Sequence, residues 1–171
     1  MNTSALKNFA QGARTKLISQ VGAKLEYVLT SDSAELREKS DQIKKLQEAI
    51  DNTSKEHIID KVSYTWFNRL MALRYMDANN YQPIGIRVVT PKEGYTLPEL
   101  LDEAKQGNIP DDLPVKPQRI YDLLDGKTAS SNAQNEAFKE LLIGACNHLN
   151  QVFPFLAEIR PGHLSACLGE G

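Results

Sequence analysis

Apolar residues recur along the chain at steps of three and four, in stretches separated by short polar breaks. In the first stretch Leu6, Phe9, Ala10, Ala13, Leu17, Val21, Leu25 and Val28 keep this spacing, which places them on one helical face. Asn2, Thr3 and Ser4 supply cap oxygens for the first free backbone N–H groups, so a helix is expected over 4–29. The polar "TSDS" then breaks the pattern and offers a new cap. Over 33–50 only Leu36, Ile43, Leu46 and Ile50 are apolar in register, a narrow stripe on a charged helix. Over 55–79 the pattern reverses. Ile58, Ile59, Val62, Trp66, Phe67, Leu70, Leu73 and Met76 cover most of the circumference, as expected of a helix inside a bundle.

Beyond "NNYQP" the elements shorten. The β-branched "IGIRVVTP" at 84–91 reads as an isolated strand or an extended loop. Helices are expected at 96–106, with Thr96 as cap, Pro98 in the first turn and Gly107 past the end, and at 118–125, stopped by Gly126. Three prolines in "IPDDLPVKPQ" make the connection between them rigid. A last helix over 131–152, capped by Ser130 to Asn132, sets Phe138, Leu141, Leu142, Ala145, Cys146 and Leu149 on one face. The expected fold is all-α, a bundle of about six helices with room for one short hairpin.

Composition narrows the function classes. The net charge of −2 gives the whole chain no bulk attraction for nucleic acid. Residues 1–25 differ, since Lys7, Arg14, Lys16 and Lys24 have no Asp or Glu among them. Lys7 and Arg14 are seven apart and share a face, so they form either a phosphate-contacting ridge or an ordinary wet face. No apolar run approaches the roughly 20 residues that span a bilayer. With two widely spaced cysteines and no secretory leader, a cytoplasmic setting is expected. The three histidines are scattered without companion ligands, so no metal is expected. Phosphate-loop, dinucleotide-loop and nucleophile-elbow motifs are all missing, so no catalytic or cofactor-binding residue is assigned.

The most distinctive stretch is "YTWFNRLMALRYM", where Arg69 and Arg74 interrupt an aromatic-rich helix. Five positions apart, they project about 140° away from each other and cannot form one binding fork. Arg74 can meet Asp77 at a three-residue spacing. Each arginine either lays its stem over apolar neighbours at the bundle edge or holds a neighbouring domain or phosphate. Trp66 is expected to be buried.

The segment "SYTWFNRLMALRYMDANNY" resembles the N-terminal region of the PglX family, the adenine-specific DNA methyltransferases of BREX phage-defence systems. The start "MNTSALKNFAQGARTKLISQV", the "YQP" after the core, "RIYDLL" and "LLIGACNHLNQVFPFL" agree with it, so the resemblance covers residues 1–156. It implies an N-terminal helical domain over 1–156 of an enzyme that moves a methyl group from S-adenosylmethionine to adenine N6. The family's cofactor loop and its NPPY-type motif lie beyond this region, and neither occurs in the 171 residues. "AEIRPGHLSACLGEG", 157–171, departs from the family pattern and reads as an atypical tail, of the kind left by a cloned fragment's end, a frameshift or a truncation.

By the same resemblance, Trp66, Phe67, Arg69 and Arg74 are candidate contacts to the methyltransferase domain or another BREX protein, an interface type in which arginine and aromatics are favoured. Lys7, Arg14, Lys16 and Lys24 are candidate DNA-phosphate contacts. The alternative is a stand-alone interaction or regulatory module that touches no DNA. Because the motifs for cofactor and chemistry are absent from its sequence, the chain alone is expected to transfer no methyl group. Isothermal calorimetry should show no specific heat with S-adenosylmethionine, and saturable binding would move the domain boundary.

Overall fold

A computed structural model describes residues 3–153, and the tail expected at 157–171 lies outside them. The described residues form seven helices and no strand. They are α1 (Thr3–Thr30), α2 (Ala34–Glu38), α3 (Ser40–Asn52), α4 (Lys55–Asn79), α5 (Glu99–Lys105), α6 (Pro117–Leu124) and α7 (Ala133–Val152). The all-α expectation holds. The chain divides within α4, between Asn68 and Arg69, into two compact units.

In the first unit α1, α3 and the start of α4 bury Val21, Leu25 and Val28, Leu46 and Ile50, and Ile58, Val62 and Trp66. Lys55 at the start of α4 reaches Glu26 of α1 at 2.8 Å. The single helix expected over 33–50 is two helices. Ser33 caps α2 by accepting from the Leu36 N–H at 3.3 Å. At Lys39 the backbone leaves the helical well (φ −101°, ψ 19°), its N–H turns to Leu36 O, and α3 starts afresh from its carbonyl. No glycine or proline marks this break.

A second difference concerns α1. Its apolar residues were expected on one helical face, yet the buried ones begin only at Val21. Leu6 and Phe9 are each 54% exposed. By the helical repeat, Val21, Leu25 and Val28 centre about 90° away from Leu6, Phe9 and Ala13. One straight helix cannot turn both sets towards the same neighbours.

The second unit is organised by a carboxylate. Asp77, near the end of α4, is only 2% exposed. Its Oδ1 accepts from Gln82 Nε2 at 2.6 Å and from the Val88 N–H at 2.9 Å, and its Oδ2 from the Val89 N–H at 2.8 Å. On the other side of the same segment, the carbonyls of Arg87 and Thr90 accept from the N–H groups of Leu100 and Glu99 in the first turn of α5. These partners explain why a β-branched run forms no strand. Its polar groups are satisfied by a side chain and a helix N-terminus, so no sheet partner is required. Only an isolated bridge joins Pro91 and Pro98. Pro98 is itself the N-cap of α5, so neither Thr96 as cap nor Pro98 inside the first turn holds.

Three helix ends in this unit close the same way. After α4, Asn80 (φ 56°) lets the Tyr81 N–H return to Met76 O. After α5, Gly107 (φ 88°) lets the Asn108 N–H return to Glu103 O, and the loop after α6 repeats the arrangement. In the rest of the core, Leu100, Leu101, Ile120, Leu123, Leu141 and Leu149 are buried. Gly144 of α7 is needed for close approach, since a Cβ there would stand 2.3 Å from Val115 Cγ1. Replacing Asp77 with alanine should strand buried donors and lower stability by about 3 kcal/mol. Urea unfolding would show this as a lower midpoint, and hydrogen exchange as reduced protection at Val88 and Val89. An unchanged midpoint would mean that water substitutes for the carboxylate.

Candidate nucleic-acid interface

The basic residues of α1 fall on two sides of the helix. Lys7 and Arg14 continue, at seven-residue steps, the line of Val21 and Val28. This line faces α4 farther along, and Arg14 pairs there with Asp60 at 3.6 Å, both side chains remaining largely exposed. Such a pair contributes at most about 1 kcal/mol. Lys7 and Lys16 are exposed and make no ion pair among the described residues. Lys24 sits with its Nζ 4.7 Å from the ring centroid of Tyr27.

Lys16 and Lys24 share their side of α1 with Leu6, Phe9, Ala13, Gln20 and Tyr27. Every step between them is three or four, which keeps all seven within about 80° of arc. Phe9 is 54% exposed and Tyr27 48%. Neither ring belongs to the candidate residues that charge and motif reasoning selects. The signal was present, because Leu6 and Phe9 lie at a different helical angle from Val21 and Leu25 and so cannot share their packing partners.

The four candidates on α4 divide by burial. Trp66, in the first unit, is 8% exposed, as expected, and Phe67 is half-buried. Arg69, in the second unit, is only 3% exposed and lies beside Cys146, lined by Ala72, Leu73, Met76 and Leu149. Burial lowers the Arg69 pKa from its ordinary value, and the nearby thiol opposes the shift. Arg74 is exposed and donates from Nη1 to Thr90 Oγ1 at 3.0 Å, while Asp77, which its spacing could have reached, holds Gln82 and the Val88 and Val89 amides instead. Among the described residues no group of three or more histidines, cysteines and carboxylates could hold a metal. No helix among them is long and apolar enough to cross a membrane.

No protein-family model matches the chain. Two curated proteins are similar to it. The adenine-specific methyltransferase BrxX of Escherichia coli O9:H4 (strain HS) is 35% identical over 106 residues, which are 60% of this chain and 8% of that protein. The adenine-specific methyltransferase PglX of Lacticaseibacillus casei (strain Zhang) is 27% identical over 189 aligned positions, covering 92% of this chain and 16% of that protein. The similarities define the class, a region related to adenine-specific methyltransferases. Within that class the relatives are BrxX and PglX, and the chain spans less than a fifth of the length of either.

Cys146 is 1% exposed, and burial pushes its pKa up to about 11 despite the opposing Arg69 charge. At pH 8 only about one thiol in a thousand is then the reactive thiolate. With Cys167 replaced by serine, a thiol reagent at pH 8 should label the native chain only on the timescale of unfolding. Labelling as fast as in urea would show that the site beside Arg69 opens freely.

Proposed function

We propose that the chain is a helical accessory region of a BREX-type adenine-specific DNA methyltransferase, and that α1 helps to hold the DNA through its phosphates. The observation that carries this reading is the acid-free stretch 1–25, on which Lys7 and Lys16 stand exposed and free of ion pairs among the described residues. Exposed cations of this kind supply sequence-independent affinity by releasing counterions from the phosphate backbone. The similarity to BrxX and PglX supports the parent activity. Cofactor binding and methyl transfer fall to the rest of such an enzyme, because this sequence has neither motif.

A second reading has its own observation. Leu6 and Phe9 are large apolar side chains left in water, which suits docking to the methyltransferase domain or another BREX protein. Trp66 and Arg69 are buried within the described chain and fit such an interface less well than the exposed Arg74.

A salt titration separates the two readings. Lys7→Ala combined with Lys16→Ala should lower the slope of log duplex affinity against log salt by about 0.9 for each phosphate that is no longer neutralised. Affinity should fall alike for all sequences, since phosphate contacts carry no base information. Unchanged affinity and slope would remove DNA and leave the protein-docking reading.

A further inference from the structure

The outer side of α1 is a mixed surface, and its components point to one kind of ligand. Leu6, Phe9, Lys16, Lys24 and Tyr27 lie along one strip whose length, from the rise per residue, is about 32 Å. Its charge is wholly positive. Glu26, the first acid in the chain, turns about 100° away from Tyr27 and is taken up by Lys55. Asp60, the acid that approaches α1 from α4, pairs with Arg14 off the strip. A second copy of the strip would meet like charge with like, so the complementary partner is an anion extended along the helix.

The rings identify which anion. Phe9 and Tyr27 keep about half their surface in water, with Lys16 between them and Lys24 held against the Tyr27 ring. A duplex hides the faces of its bases in the stack and offers these rings only sugar and phosphate. An unpaired strand offers both base faces and phosphates, and exposed rings combined with cations are how proteins bind such strands without reading sequence. We propose that the outer strip of α1 binds unpaired nucleic acid, with Phe9 and Tyr27 stacking on bases and Lys16 and Lys24 contacting the phosphates beside them. This deepens the reading that α1 holds DNA and rests on it. Chemistry on a base requires taking it out of the stack, so unpaired strand is the form in which an adenine is accessible.

The test compares a labelled single-stranded oligonucleotide with the duplex of the same sequence, by fluorescence anisotropy with the full chain. The double variant Phe9→Ala and Tyr27→Ala removes only exposed rings, and circular dichroism checks that it remains folded. It should lose about tenfold or more in single-strand affinity, the scale of one or two stacking contacts, with little change for duplex. Its salt slope should stay that of the unaltered chain, while Lys16→Ala with Lys24→Ala should lower the slope. Tryptophan in place of Phe9 should preserve tight single-strand binding. Equal losses on both nucleic acids, or none on the single strand, would overturn the assignment. If ring removal does nothing while Lys7→Ala with Lys16→Ala still weakens duplex binding, the unpaired-strand proposal falls and the phosphate-holding role stands. If neither nucleic acid binds at low salt, both fall, and an acid-rimmed apolar protein surface becomes the occupant.

Discussion

The second unit depends on one buried carboxylate. A charged oxygen pair removed from water is tolerated only when hydrogen bonds replace the lost hydration. Asp77 obtains them from two consecutive backbone amides and a glutamine, all presented by a single loop. That requirement fixes the course of residues 82–89, and through the carbonyls of Arg87 and Thr90 it fixes where α5 begins. The ion pairs around α5 build on the same placement. Glu99 lies 3.6 Å from Arg87 and 3.8 Å from Lys92, and Lys92 also bonds Glu103. Lys92 and then Asn108 hold the Glu103 carboxyl below its ordinary range. These outer pairs are partly exposed, so they refine an arrangement that Asp77 has already imposed.

Most helices were legible because their signals are local. The range expected for the helix over 55–79 coincides with α4 at both ends, where a polar break precedes it and Asn80 takes the left-handed turn after it. Those for α1, α6 and α7 agree to within two residues. The features missed or left open are non-local or unmarked. Lys39 interrupts a helix with no breaker residue, and "VVT" has the composition of a strand. Whether it becomes one depends on what its amides meet, and Asp77 lies more than ten positions earlier in the chain. Sequence spacing pointed Asp77 towards Arg74, a neighbour on the same helix, whereas the requirement for amide donors sends it across a loop.

The candidate site was legible as charge and illegible as shape. Counting acids and bases picked out residues 1–25, but the pairing of Lys7 with Arg14 treated helical angle without asking which side the core occupies. With the core known, Arg14 belongs to the inner side and Lys16 and Lys24 to the outer. Phe9 beside them was set on the apolar face, since an apolar residue at helical spacing is most often buried, and Tyr27 was assigned to neither set. The two embedded arginines also differ in their surroundings. Arg69 is buried next to a thiol, and Arg74 is an exposed donor to a threonine on the loop.

The uneven burial of α1 has an evolutionary consequence. From Thr3 to Gln20 no side chain is fully buried, while Val21, Leu25 and Val28 are part of the core. Folding constrains the second half of this helix and leaves the first half nearly neutral, because surface substitutions away from structural features usually change stability by no more than about 0.5 kcal/mol. Selection can therefore exchange residues there for the sake of a ligand alone. Related chains can diverge in the surface of the first five turns of α1 while the remainder of the helix stays under the pressure of packing.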